Sequence, residues 1–120
     1  MIGLMNQSDS DRVQKEVCRR FDATPEPPEP ETKLGVAINV RTAVQPMHGL
    51  RHSPEENTNG WYLWRGEYSD DPEFFTPLHV EHVMDWCPEA MPYLALPPGW
   101  RFLLAPDHED VWFDPSLLDN

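Results

Sequence analysis

The sequence predicts an α+β fold: a small antiparallel sheet of three to five short strands, one or two helices packed on it, and an N-terminal helix on a proline-rich strap. Three observations carry this expectation. Short alternating runs rich in β-branched and aromatic residues, at 34–40, 61–67 and 100–105, are separated by turn residues. Apolar residues recur at helical spacing within 8–22 and again after Thr76-Pro77. Fourteen prolines in 120 residues, about 12% against a usual ~5%, force many turns and short elements.

The first helix is predicted over 8–22. Ser8 or Ser10 can cap it, Asp9 and Asp11 suit its positive end, and Arg19 and Arg20 its negative end. Val13, Val17 and Phe21 recur at i, i+4 and i+8 with Cys18 beside them, a stripe too narrow to hold a helix without a body to pack on. In 23–32, Pro25, Pro27, Pro28 and Pro30 fix φ and remove donors, while Glu26, Glu29 and Glu31 keep the segment solvated. An extended strap is expected there. Its PxxP spacings (Pro25–Pro28, Pro27–Pro30) also fit a peptide-module ligand, which the flanking acids disfavour. Residues 1–32 are thus expected to form a helix and strap, and 33–120 a single α+β domain. A strap of this kind also permits a homodimer through exchange of the N-terminal helix.

Along 34–40, Val36, Ile38 and Val40 share one face of a predicted strand. Residues 48–60 read as a long polar loop closed by an Asn59-Gly60 turn. In 61–67, Trp61, Leu63 and Arg65 face one way and Tyr62 and Trp64 the other, the pattern of a central strand. After an acidic turn at 69–73, Thr76-Pro77 predicts a helix start, with Val80, Val83, Met84 and Cys87 at i, i+3, i+4 and i+7 and Pro88 as its stop. Residues 88–94 suggest a further short helical turn. Pro97-Pro98-Gly99 is a turn, and 100–105 and 111–113 make a hairpin across the turn at 107–110.

Charge bounds the partners. The chain carries 21 acids and 9 Lys or Arg, net −12, and the excess is uneven. Residues 1–65 hold nine acids and eight bases, whereas 66–120 hold twelve acids and one base, Arg101. A phosphate-backbone binder needs clustered Lys and Arg, so direct nucleic-acid binding is disfavoured. An anionic membrane surface is disfavoured likewise, and no apolar run is long enough to span a bilayer. Met1–Met5 lacks a basic n-region, so no secretory signal is expected. Two cysteines make no disulfide framework, and a cytoplasmic location is expected.

Candidate chemistry is sparse. His79 and His82 sit at i and i+3, and His48, His52 and His108 lie in predicted turns. Zinc needs three or four converging ligands, and no HExxH or paired CxxC occurs. No metal site and no cofactor is therefore expected; a metal-dependent hydrolase or metal sensor on His79 and His82 stays as an alternative. Cys87 falls on the apolar stripe, which predicts a buried, inert thiol. Adjacent acids such as Asp70/Asp71 and Glu109/Asp110 are not the opposed pair that hydrolytic chemistry requires. No phosphate-loop or nucleophile-elbow motif is present, and catalysis is not expected.

The aromatics and acids together point to a protein partner. Five tryptophans are many for this length, and each indole N–H needs an acceptor when buried. Trp beside acid supplies contact area and steering for a basic partner. The candidate partner-binding residues are Glu67, Asp70, Asp71 and Glu73 in one turn, and Glu109, Asp110, Trp112 and Asp114 around the last strand. A structural or regulatory accessory domain, its acidity serving only solubility, is the other alternative.

Four phrases carry a family resemblance: Asn57-Thr58-Asn59-Gly60-Trp61-Tyr62-Leu63-Trp64-Arg65-Gly66-Glu67, Pro77-Leu78-His79-Val80-Glu81-His82, Leu96-Pro97-Pro98-Gly99-Trp100-Arg101-Phe102-Leu103, and Glu109-Asp110-Val111-Trp112. Over about residues 46–120 the chain resembles a bacterial immunity-protein-like family associated with polymorphic toxin systems. The resemblance implies a non-catalytic cytosolic antidote that binds a toxin and blocks it. It brings no catalytic residues with it.

Overall fold

The structure is a computed structural model that describes residues 7–119; the apolar start Met1–Met5 lies outside them. Helix α1 spans Gln7–Arg20. Ser8 and Ser10 therefore lie within the helix rather than ahead of it. Its inner stripe behaves as the spacing predicts: Val17 and Cys18 are buried in the main core, with Phe21 packed against it. Gln14 adds a buried polar contact, its Nε2 donating to the Met91 carbonyl at 3.0 Å.

The strap does not hang free. The Glu26 N–H donates to the Ala95 carbonyl at 2.7 Å, and Arg51 Nη1 donates to the Glu26 carbonyl at 2.8 Å. Those bonds bring α1 back onto segment 88–93 of the same chain.

Six strands form one sheet, in the order β4-β1-β3-β2-β5-β6. They are β1 Lys33–Ala37, β2 Met47–Arg51, β3 Trp61–Arg65, β4 Phe75–His79, β5 Trp100–Ala105 and β6 His108–Phe113. β1 runs parallel to β3, and every other neighbour is antiparallel. The α+β class is as expected; the count of three to five strands is corrected to six, by two strands that the sequence disguises.

The first is β2, which the composition assigns to a loop. Its His48, Gly49 and Arg51 look polar, yet each is accommodated. A Cβ on Gly49 would lie 2.3 Å from the Phe102 ring, so the glycine makes room for that ring in the core. Arg51 is 3% exposed, and its guanidinium donates to the carbonyls of Asn59 at 3.0 Å, Glu26 at 2.8 Å and Leu96 at 2.8 Å. Burial pulls its pKa down to about 10, still well above neutrality, so it stays charged.

The second is β4, where Thr76-Pro77 reads as a helix start. Proline is tolerated in an edge strand because its missing donor breaks no interior ladder bond, and β4 is an edge. The predicted helix shrinks accordingly to a 3₁₀ turn, Val80–His82, and a single α turn, α2, Val83–Trp86. Its apolar stripe nonetheless faces inward, with Val83 and Cys87 fully buried. A 3₁₀ stretch, Pro88–Tyr93, follows. The first predicted strand is also shorter than expected: Ile38–Arg41 is a 3₁₀ turn, which leaves Ile38 70% exposed while Val36 and Val40 remain buried.

Strand β3 is interior, and its alternation is as predicted. Trp61, Leu63 and Arg65 lie on the covered face, under α1, α2 and 88–93, beside Leu34, Val36, Met47 and Phe102. The Trp61 indole donates to the Leu94 carbonyl at 2.9 Å. The predicted turns are met where positive φ is required: Gly60 and Gly99 each have φ +97°. A Cβ at Gly60 would lie 2.0 Å from the His52 carbonyl oxygen.

Candidate protein-binding face

The sheet's two faces differ. On the covered face the central side chains are almost entirely buried. On the opposite, open face most are half-buried or exposed. Strand register builds this open face in rows. One runs Pro77–Gly35–Tyr62–Leu50–Arg101–Trp112 from edge to edge. The next includes Trp64–His48–Leu103–Asp110. Phe75 and Pro77 lie on this face because they alternate with Thr76 and Leu78, which pair with the core-facing Val36 and Leu34.

Aromatic rings occupy the β1–β3–β4 end. Tyr62 and Phe75 meet edge-on with centroids 5.1 Å apart. Gly35 lets the Tyr62 ring lie flat, since a Cβ there would come within 2.7 Å of it. Trp64 meets Tyr68 at 5.4 Å and Phe75 at 6.0 Å. His48 stacks on Trp64 at 4.8 Å and 16°. Burial, followed by the nearby Arg101 charge, pushes the His48 pKa below the ordinary histidine range, so it is neutral at pH 7. Together Leu50, His52, Tyr62, Trp64, Tyr68 and Phe75 enclose an open depression of about 160 Å³. Among the described residues, Trp64 Nε1 and Arg101 Nε are buried side-chain nitrogens with no hydrogen-bond partner. Both lie on this face.

The candidate partner-binding residues distribute unevenly around it. Glu67, Asp70, Asp71 and Glu73 are exposed on the 66–74 loop, which also carries the Tyr68 wall. Asp71 shapes that loop by accepting from the Glu73 N–H at 2.8 Å. Asp110 and Trp112 stand on the open face of edge strand β6; Trp112 is 38% exposed, with the Arg101 guanidinium 5.3 Å from its ring. Glu109 alternates to the other face, where it pairs with Arg20 at 2.8 Å and accepts from the Tyr93 hydroxyl. Arg20 and Tyr93 hold its carboxyl below the usual range. Asp114 is engaged too: it accepts from the Ser116 N–H at 3.1 Å and pairs with Arg101 at 3.1 Å. Glu109 and Asp110 lie at the same end of the sheet as the 66–74 loop, whereas Asp114 follows the opposite end of β6; β3 and β6 are three strand steps apart, roughly 14 Å. The 66–74 acids and Asp110 flank the open face without merging.

Residue reasoning did not single out Tyr62, Trp64, Tyr68, Phe75 and Arg101 as site residues. Alternation in β3 already separated Tyr62 and Trp64 from the core-facing set. Phe75 gave no such signal, because its segment read as a helix entry.

The remaining candidates resolve individually. The His79 and His82 rings lie 6.3 Å apart, and among the described residues no group of three or more His, Cys, Asp or Glu comes together to hold a metal. His52 Nδ1 lies 3.0 Å from the Leu117 carbonyl, and His108 Nε2 lies 2.7 Å from Asp110. Cys18 and Cys87 are buried free thiols; burial pushes Cys87 up to about 12. No helix among the described residues is long and apolar enough to cross a membrane.

Fold and site thus define an α+β sheet domain with one packed face and one aromatic, acid-flanked face left open. Residues 13–114 match the Imm33-like domain, and the chain belongs to this Imm33-like, immunity-protein-like family. The match extends back from the resembling region, 46–120, through the strap and into α1. No curated protein and no solved structure matches the chain.

Proposed function

We propose that the chain is a non-catalytic, cytoplasmic immunity protein that neutralises a basic toxin by covering it with the open sheet face. The observation that carries this is the asymmetry of the sheet: Tyr62, Phe75 and Trp112 stay partly or largely accessible on one face, with Trp64 buried among them, while the central side chains of the other face are almost entirely packed. Family membership supports a toxin as the class of partner. Charge supports a basic partner, since net −11 in residues 66–120 favours encounter with a cation-rich surface. Blocking a toxin needs contact area and speed, not a reacting group. Aromatic residues supply area at low entropy cost, and the acids flanking the face raise the association rate.

The test is association kinetics with the toxin captured from the native cell. Glu67→Gln, Asp70→Asn, Asp71→Asn, Glu73→Gln and Asp110→Asn together are expected to slow association about ten-fold at low salt and flatten its salt dependence. Unchanged rates in both conditions would leave the acidity a solubility feature, as the accessory-domain alternative holds.

A further inference from the structure

The immunity assignment leaves open what part of the toxin the aromatic depression receives. Its walls are three phenyl or phenol rings, an indole, Leu50 and His52, with no lysine, arginine or carboxylate among them. A neutral aliphatic side chain would gain burial there but would make no use of the surrounding charge. Two features favour a cation instead. Tyr68, one wall of the depression, belongs to the same short loop as four exposed acids, Glu67, Asp70, Asp71 and Glu73. Ring faces attract cations through their quadrupoles, most strongly for Trp and Tyr.

The positive groups nearby do not compete for the depression. Arg101 lies beyond Leu50 on β5, tied to Asp114 at 3.1 Å and set over Trp112. His48 is neutral at pH 7 behind Trp64. Trp64 itself is 4% exposed and holds an N–H with no acceptor. A buried donor without a partner is destabilising.

We infer that the depression formed by Tyr62, Trp64, Tyr68 and Phe75 is the anchor site for an arginine side chain of the protein partner. This rests on the immunity assignment for the identity of the partner. Arginine is favoured over lysine because a planar, weakly hydrated guanidinium stacks on rings, whereas a compact ammonium keeps its water. The neighbouring carboxylates hold the approaching charge, and the rings take it after part of its hydration shell is lost.

The probe is N-acetyl-arginine-methylamide, titrated into the full chain while the indole N–H resonances are followed by NMR, with the Trp64 signal assigned by its loss in Trp64→Phe. The expected result is a saturable shift of the Trp64 resonance, with the neutral isostere N-acetyl-citrulline-methylamide and the lysine analogue each about five-fold weaker. Tyr68 is 60% exposed, so Tyr68→Ala should leave the fold intact and weaken the arginine probe to the level of citrulline. Lys15→Ala, on the exposed outer surface of α1, should leave the shift unchanged. Equal binding of arginine and citrulline, a lysine probe as strong as arginine, or an unaffected Tyr68→Ala overturns the assignment. If the captured toxin still binds the open face while arginine and citrulline are equal, the anchor fails and the immunity role stands. If arginine is selected at Trp64 but the chain binds no toxin, the anchor stands and the immunity role fails.

Discussion

Replacing Arg51 by methionine keeps much of the side chain's volume and removes its charge and every donor. Three carbonyls lose their partner: those of Asn59, Glu26 and Leu96. Asn59 and Leu96 are buried, at 4% and 0% exposure, and each carbonyl left without a donor costs ~1–3 kcal/mol. The Glu26 carbonyl lies on the exposed strap and regains water. With two buried carbonyls left unpaired, the expected loss is about 2–6 kcal/mol. Against a total stability of ~5–15 kcal/mol this is a large fraction. Tm should fall on the order of 10–20 °C. Urea and thermal unfolding followed by tryptophan fluorescence measure the loss. Amide exchange at Glu26, whose N–H bonds the Ala95 carbonyl, should accelerate as the strap loosens, and Arg51→Lys should fall between the two proteins. A loss below ~1 kcal/mol, or an unchanged Glu26 amide, would refute Arg51 as the clamp between strap and sheet.

Other outcomes follow from single contacts. Gly49→Ala must displace the Phe102 ring, 2.3 Å from the added Cβ, and should cost ~1–3 kcal/mol in urea unfolding; wild-type stability would contradict that packing. Burial, aided by the Glu109 hydrogen bond, pushes the Tyr93 phenol up to about 12. A folded pKa above the ordinary value of ~10 means that this stabilisation is present below pH ~10 and is lost as pH rises toward 12. Phenolate absorbance should show one late-titrating tyrosine that disappears in Tyr93→Phe, and uniform titration near the ordinary value would contradict this. Both thiols are fully buried and burial raises both pKa values, so a thiol reagent should react only after denaturant is added. Rapid labelling of native protein would mean that Cys18 or Cys87 is accessible.

Where local pattern and tertiary role agree, the fold is legible in the sequence. WYLWR alternates as a strand with both faces engaged, and β3 is interior. The run after Pro97-Pro98-Gly99 and the short one ending at Phe113 do form a hairpin, although β6 begins at His108 and its turn is tighter than the sequence suggests. β2 was not legible, because what makes MHGLR a strand is remote. Gly49 is shaped by Phe102, and Arg51 by three carbonyls from distant segments. β4 misled for a related reason: Thr-Pro starts a helix by local chemistry, and only the edge position opposite Gly35 makes it a strand. The candidate site divides in the same way. Its acids and Trp112 were visible in composition, whereas the aromatic depression needs the β1–β4 and β1–β3 registers before Phe75 can be placed beside Tyr62 and Trp64.

The most direct measurement is a backbone amide and indole footprint of the full chain bound to its captured toxin. The account predicts that perturbation and protection concentrate on the open face, at Tyr62, Trp64, Tyr68, Phe75 and Trp112 and along the 66–74 loop. The outer surface of α1 around Lys15 and Arg19 should be unaffected. A footprint centred on α1 or the strap, with the open face unperturbed, would contradict it.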